Sequence, residues 1–369
     1  MGTLFDYLNW RGDLKFSEAP LNEVDSLIFS LISYMDLKGI VPTEHRDFSV
    51  SINAAANSFF ANNPNPKKVS IGLIVPKEII TLFRAVKDTV RFRDVEIKAY
   101  VNVIDQQKEM QFSATTYLLD TGETVVAYRG TDDTLIGWKE NFNMSFLPVV
   151  PAQTAAVEYL NQAAKHVVGG VYVTGHSKGG NLAVYAAVHC EKDVRSRLLS
   201  VWCNDGPGFG KNMLNDPDYI EMRPIIKSLV PQNSVVGMLL KHDENYTVIK
   251  SRQAGLLQHD GLTWNVFGSS FVHLQDVAEG SKRLDRTLNT WIQKMTPEQR
   301  EQFTDSIYQI LSADNATTLT ELMTSIKKNQ FLPKYSSLDP HVRQTVQQTL
   351  SVLFDLSKKN LLTDILKKI

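Results

Sequence analysis

Residues 171–188 read Val171-Tyr172-Val173-Thr174-Gly175-His176-Ser177-Lys178-Gly179-Gly180-Asn181-Leu182-Ala183-Val184-Tyr185-Ala186-Ala187-Val188. An apolar β-branched run, a Gly-x-Ser-x-Gly turn and an alanine-rich run follow one another, which is the order strand, sharp turn, helix. Small residues two before and two after a serine let the backbone take the strained turn of a nucleophile elbow, holding the hydroxyl clear at the strand tip. Three fixed positions alone are a weak signal, and the flanking strand and helix supply the context that makes the motif informative. Ser177 is therefore the candidate nucleophile.

The segments around the elbow alternate in type. Helices are expected over 152–166 and 181–189, and strands over 170–174, 198–203 and 226–229. With the elbow, this alternation predicts an α/β-hydrolase fold, a mostly parallel sheet with helices on both faces. Strand character over 95–105, 111–119 and 124–128, with a turn at Thr121 and Gly122, predicts a meander feeding that sheet. The chain before residue 90 is mainly helical: 22–34 carries Val24, Leu27, Ile28, Leu31 and Ile32 on one face, and 49–60 and 76–89 follow. Residues 264–272 are the last strand-like segment, and 281–294, 297–311, 319–328 and 341–368 read as amphipathic helices. The expected division is a hydrolase-type domain over 1–280, including a helical N-terminal lead, and a C-terminal helical appendage over 281–369.

With 369 residues, 43% apolar and 21% charged, the chain has material for one large core and an accessory part. A net charge of -1 provides no bulk attraction to nucleic acid or to an anionic surface. Cys190 and Cys203 lack the spacing of a zinc site or a disulfide framework, so both are expected to be reduced core residues, with no metal or other cofactor. The first residues lack the pattern of a secretory signal, and no run of about 18 apolar residues occurs, so cytoplasmic residence is the expectation.

An activated serine needs a base within hydrogen-bond reach and a third group to orient that base. In α/β-hydrolases the order is serine, acid, histidine. His189 ends the elbow helix, where it caps rather than reaches Ser177. His259, in Gln258-His259-Asp260-Gly261, lies in a polar turn at the sheet's edge that can hang over the elbow, and His242 is the reserve. Asp205 opens Asp205-Gly206-Pro207-Gly208 at the carboxyl end of the strand after the elbow, where ligands bind in open parallel sheets. It is the candidate acid, with Asp243 and Asp260 as rivals. Oxyanion donors are expected from the backbone N–H of Lys178 and from the N–H and hydroxyl of Thr131, in Arg129-Gly130-Thr131. The plain alternatives are a surface histidine, a turn aspartate and a turn glycine.

Two segments together, Ala127-Tyr128-Arg129-Gly130-Thr131-Asp132 and Val173 through Ala183, resemble the fungal-type, or class-three, lipases. More closely they resemble a poorly characterised group of bacterial lipase-like α/β-hydrolases, whose start is similar to Asp6-Tyr7-Leu8-Asn9-Trp10-Arg11-Gly12-Asp13. The resemblance extends to roughly residue 275 and leaves the helical tail out. It implies ester hydrolysis, with the nucleophile at Ser177 and an oxyanion donor at Thr131. Class-three lipases place their aspartate one strand later, in a segment similar to Asn233-Ser234-Val235-Val236-Gly237, where this chain has Ser234. The acid at Asp205 matches the arrangement of pancreatic-type lipases, and adjacent strand ends are only about 5 Å apart. Lys178 stands where those lipases more often have leucine, and a cation beside the ester would favour a polar or acidic acyl group.

Two functions follow. The first is a serine esterase or lipase-like hydrolase acting on a small-molecule or lipid ester through an acyl-enzyme on Ser177, with His259 as base and Asp205 orienting it. The second is a non-catalytic relative using the fold for binding or scaffolding, motivated by the serine at 234. In the last helix Val342, Val346, Leu350 and Leu353 share a side flanked by Lys358, Lys359, Lys367 and Lys368. That side packs against the body, or serves a dimer or membrane-surface contact. The sequence leaves open whether there is a lid, for which residues 141–151 offer a place.

Overall fold

The computed structural model describes residues 2–44, 48–66, 69, 71–72, 75–240, 246–278, 296–312 and 316–327. Its strands are β1 (Val50–Ser51), β2 (Glu96–Asp105), β3 (Met110–Leu118), β4 (Thr124–Tyr128), β5 (Val171–His176), β6 (Leu198–Asn204), β7 (Ile226–Pro231), β8 (Tyr246–Ile249), β9 (Val266–Phe267), β10 (Ser270–Phe271) and β11 (His273–Leu274). A nine-stranded sheet runs β1 to β8 in chain order and ends on β11, while β9 and β10 form a separate hairpin. Pairing is parallel from β4 to β8 and antiparallel at both flanks. The expected mostly parallel sheet is thus a mixed one. Connection length is the reason: β3 and β4 are joined through the tight turn at Gly122, with φ +82°, and short links only permit antiparallel neighbours.

The helices are α1 (Leu4–Arg11), α2 (Glu23–Ile32), α3 (Ile52–Asn62), α4 (Glu78–Val86), α5 (Leu135–Asn143), α6 (Pro151–Lys165) and α7 (Lys178–His189), with further short ones between β5 and β7. Successive residues of a strand face opposite sides of the sheet. Val125, Ala127, Tyr172 and Trp202 join α1 to α4 in one core, while Val126, Tyr128, Val171, Val173, Val201 and Cys203 join α6 and α7 in the other. The amino-terminal helices therefore form one wall of the fold.

That wall is pinned by charge. Asn22 caps α2, accepting from the N–H groups of Val24 and Asp25. Asp25 and Arg91, both fully buried, pair at 2.5 Å. Tyr7, from the opening motif, donates to Asp25 at 2.8 Å, and Arg91 also donates to the carbonyls of Leu14 and Ala19. Such a pair withstands desolvation only because its remaining donors are satisfied.

Among the elements that the sequence does not announce are β8 and α5. The sequence leaves 135–143 unassigned, whereas Thr134 caps α5 by accepting from Gly137 and the helix runs to Asn143. Helices Pro297–Leu311 and Leu319–Lys327 match their expected positions. Those expected over 281–294 and 341–368 lie outside the described residues. Among the described residues no helix is long and apolar enough to cross a membrane. Both cysteines are free and buried, and burial pushes their thiols up, to about 11 for Cys190 and about 12 for Cys203.

Candidate active site

Ser177 sits between β5 and α7 with φ +59° and ψ -132°, a conformation costing about 1–3 kcal/mol that the surroundings impose. The glycines explain how. A Cβ on Gly175 would lie 2.0 Å from the Gly179 carbonyl oxygen, and one on Gly179 would lie 2.1 Å from the Tyr128 carbonyl oxygen. Only glycine lets the helix start close against the strand tips.

Asp205, the first residue after β6, is also at positive φ, +51°, and is fully buried. Its Oδ2 accepts from His259 Nδ1 at 2.7 Å. Its Oδ1 accepts from the Ser234 hydroxyl at 2.5 Å and from the Gly237 N–H at 3.1 Å. The carboxylate from β6 thus meets donors from the loops after β7 and β8, and a Cβ on Gly237 would collide with it at 2.2 Å. His259 ends a 3-10 turn, Gly255–His259, and its side chain is 21% exposed beside the fully buried carboxylate. An imidazole whose Nδ1–H is held this way presents Nε2 as an acceptor.

The structure brings His259 and Asp205 together. It makes no hydrogen bond between the Ser177 hydroxyl and His259, a contact that often tightens only with substrate bound. Asp260 caps the turn Gly261–Thr263, accepting from Leu262 N–H at 2.9 Å. Burial raises its carboxyl to about 6. His189 ends α7 with its ring against Tyr185 at 4.3 Å. His242 and Asp243 lie outside the described residues.

Thr131 is buried and follows β4. Its Oγ1 accepts from Asn141 Nδ2 at 2.6 Å, which leaves the hydroxyl hydrogen free to donate elsewhere. Lys178 is the first residue of α7, so its N–H belongs to the unpaired set at the helix start. Its side chain corrects an expectation. The ammonium does not lie beside the ester site: it is buried and donates to the Gln111 carbonyl and Oε1, both at 2.6 Å, and to Glu140 Oε2 at 2.9 Å. Glu140 is itself fully buried, so the cation is consumed in the core.

Three residues were missed by the sequence reading: Ser234 as a donor to the acid, and His176 and Tyr34 beside the elbow. Ser234 was noticed only as a missing carboxylate, although a hydroxyl next to a displaced acid is a natural partner for it. Among the described residues no cluster of three or more His, Cys, Asp and Glu side chains converges to hold a metal ion.

A sheet with helices on both faces, carrying its serine, histidine and aspartate at the carboxyl ends of parallel strands, defines an α/β protein with a site in the usual place for that class. The chain belongs to the Mbeg1-like family, whose family model matches residues 86–309. Among solved structures, one described as the crystal structure of M37 lipase is similar at 17% identity and a TM-score of 0.35, covering 58% of this chain and 68% of that one. No curated protein matches the chain.

Proposed function

We propose that the chain has an α/β-hydrolase fold and is a serine hydrolase of carboxylic esters, lipase-like or esterase-like. Ser177 attacks the ester carbonyl, and His259 takes its proton and returns it to the leaving alcohol. Asp205 holds the imidazole tautomer, and the Lys178 N–H with Thr131 holds the oxyanion. Water then cleaves the acyl-enzyme by the same route. The single observation that carries this reading is the 2.7 Å contact of His259 Nδ1 with Asp205, on loops flanking a serine in elbow geometry. The contact also supports catalysis over the non-catalytic alternative, because the acid missing at 234 is supplied by Asp205. The test is labelling with a fluorophosphonate probe beside Ser177→Ala and His259→Ala. Labelling of the wild type that both variants abolish is the expected outcome, and an unreactive, folded wild type would favour a binding module.

A further inference from the structure

The hydrogen bonds around His176 have only one consistent direction. Its Nε2 lies 2.7 Å from the carbonyl oxygen of His259. A carbonyl only accepts, so Nε2 carries a proton. Burial lowers the ring's pKa to about 3, so the ring is neutral and Nδ1 bears a lone pair. The Tyr34 hydroxyl, 3.4 Å from Nδ1, is therefore the donor there, and it sits against the Gly130 backbone. A chain of donors runs from Tyr34 through His176 to the backbone of His259.

Packing follows the same path. A Cβ on Gly130 would lie 2.2 Å from the Tyr34 hydroxyl, 2.6 Å from the His176 carbonyl oxygen and 3.0 Å from Ser177 Cβ. The rings of His176 and His259 stack with centroids 4.6 Å apart at 31°. Trp264 Nε1 donates to the Gln258 carbonyl at 2.9 Å, so two consecutive carbonyls of the histidine loop are each held by a ring N–H.

We propose that Tyr34 and His176 are positioning residues of this site, holding the Gly130-Thr131 loop and the His259 loop in fixed register on either side of Ser177. The proposal rests on the serine-hydrolase reading. Neither side chain hydrogen-bonds a reacting atom. Tyr34 follows α2, so the amino-terminal wall reaches the site through it. A neutral ring stacked on His259 also lets the imidazolium form without a like charge beside it.

Two measurements test this. Nitrogen-15 NMR of the wild-type histidines is expected to show His176 as the neutral Nε2–H tautomer from pH 8 to 5, whether or not the protein reacts with a probe. An Nδ1–H tautomer, or a cation at pH 6, overturns the chain of donors. Fluorophosphonate labelling rates and ester kinetics are then compared for Tyr34→Phe, His176→Phe and the double variant, all checked for folding by thermal melts. Each single variant is expected to slow labelling and kcat about tenfold with KM little changed. The double variant is expected to be no slower than the slower single one, because both break the same chain. His176→Gln, whose amide N–H can reach the His259 carbonyl, is expected to recover part of the loss. Single variants at the wild-type rate, or effects that simply multiply, overturn the positioning role. A wild type that never labels instead overturns the hydrolase reading and takes the positioning role with it, while the tautomer still reports on the hydrogen bonds.

Discussion

At position 234 a serine supports a carboxylate instead of being one. Asp205 Oδ1 receives two donors, Ser234 Oγ and Gly237 N, and Oδ2 is left for His259. Hydrogen bonds to charged groups contribute about 1.5–3 kcal/mol, so Ser234→Ala is expected to lower ester turnover roughly ten- to hundredfold with little change in KM. Asp205→Asn, which offers His259 the wrong partner, is expected to cost about three to four orders of magnitude. Steady-state kinetics of both variants check the order, and equal losses would mean that Ser234 does more than hold the acid. Two nearby groups also set how stability varies with pH. His176 titrates at about 3 when folded against 6.5 ordinarily, because burial disfavours the cation. The unfolded chain therefore binds the extra proton between those values. The stability that His176 contributes is complete above about pH 6.5 and is lost as pH falls toward 3. Asp260 has the opposite sign: with its carboxyl raised by burial from 3.8 to about 6, the folded chain binds the extra proton, so its contribution falls as pH rises through that window. Melting curves from pH 4 to 7 are expected to show a flatter acid limb for His176→Phe and a steeper one for Asp260→Asn. Parallel limbs would contradict both assignments.

Among the elements, the elbow helix is tied to its surroundings by one buried cation. Lys178 links α7 to β3 through Gln111 and to α5 through Glu140, whose other oxygen accepts from Ala152 at the start of α6 at 2.8 Å. Removing one partner of a buried pair leaves the other charge uncompensated, at about 3–5 kcal/mol. Lys178→Met is thus expected to lower the unfolding free energy by that amount, measured by denaturant melts, while leaving the preference between neutral and carboxylated esters unchanged. A changed preference with unchanged stability would return the lysine to the substrate side. The same residue marks where the sequence is legible. The strand, turn and helix from 171 to 189 follow from local pattern, because their causes lie within a few residues. The direction of Lys178 depends on partners 67 and 38 residues away, and the support of Asp205 by Ser234 on one 29 residues away. No period or spacing carries that information. The four-residue β8 is too short to show alternation, and α5 carries Gly137 and a weakly apolar face. Both were missed for local reasons.

At the scale of the whole molecule, the helices after residue 296 are joined to the candidate site. The Leu135 N–H donates to the Thr317 carbonyl at 2.9 Å, and the Leu319 N–H donates to the Asp133 carbonyl at 2.8 Å. Lys139 of α5 pairs with Asp305 at 2.7 Å. Because Asn141 of α5 holds the Thr131 hydroxyl, the docked segment steadies the element on which this proposed oxyanion donor rests. The family match, too, runs through residue 309, past the division expected at about 280. Leu322 is fully buried in this contact region, and an aspartate there would place an unpaired carboxylate in an apolar setting. Leu322→Asp is therefore expected to release the segment 316–327, speed amide exchange at Leu135 and along α5, and reduce ester turnover several-fold. Exchange in β5 and around Asp25, on the far wall, is expected to stay as in the wild type. Faster exchange along α5 with unchanged turnover would mean that the carboxyl-terminal helices are an independent unit, in keeping with a division at 280.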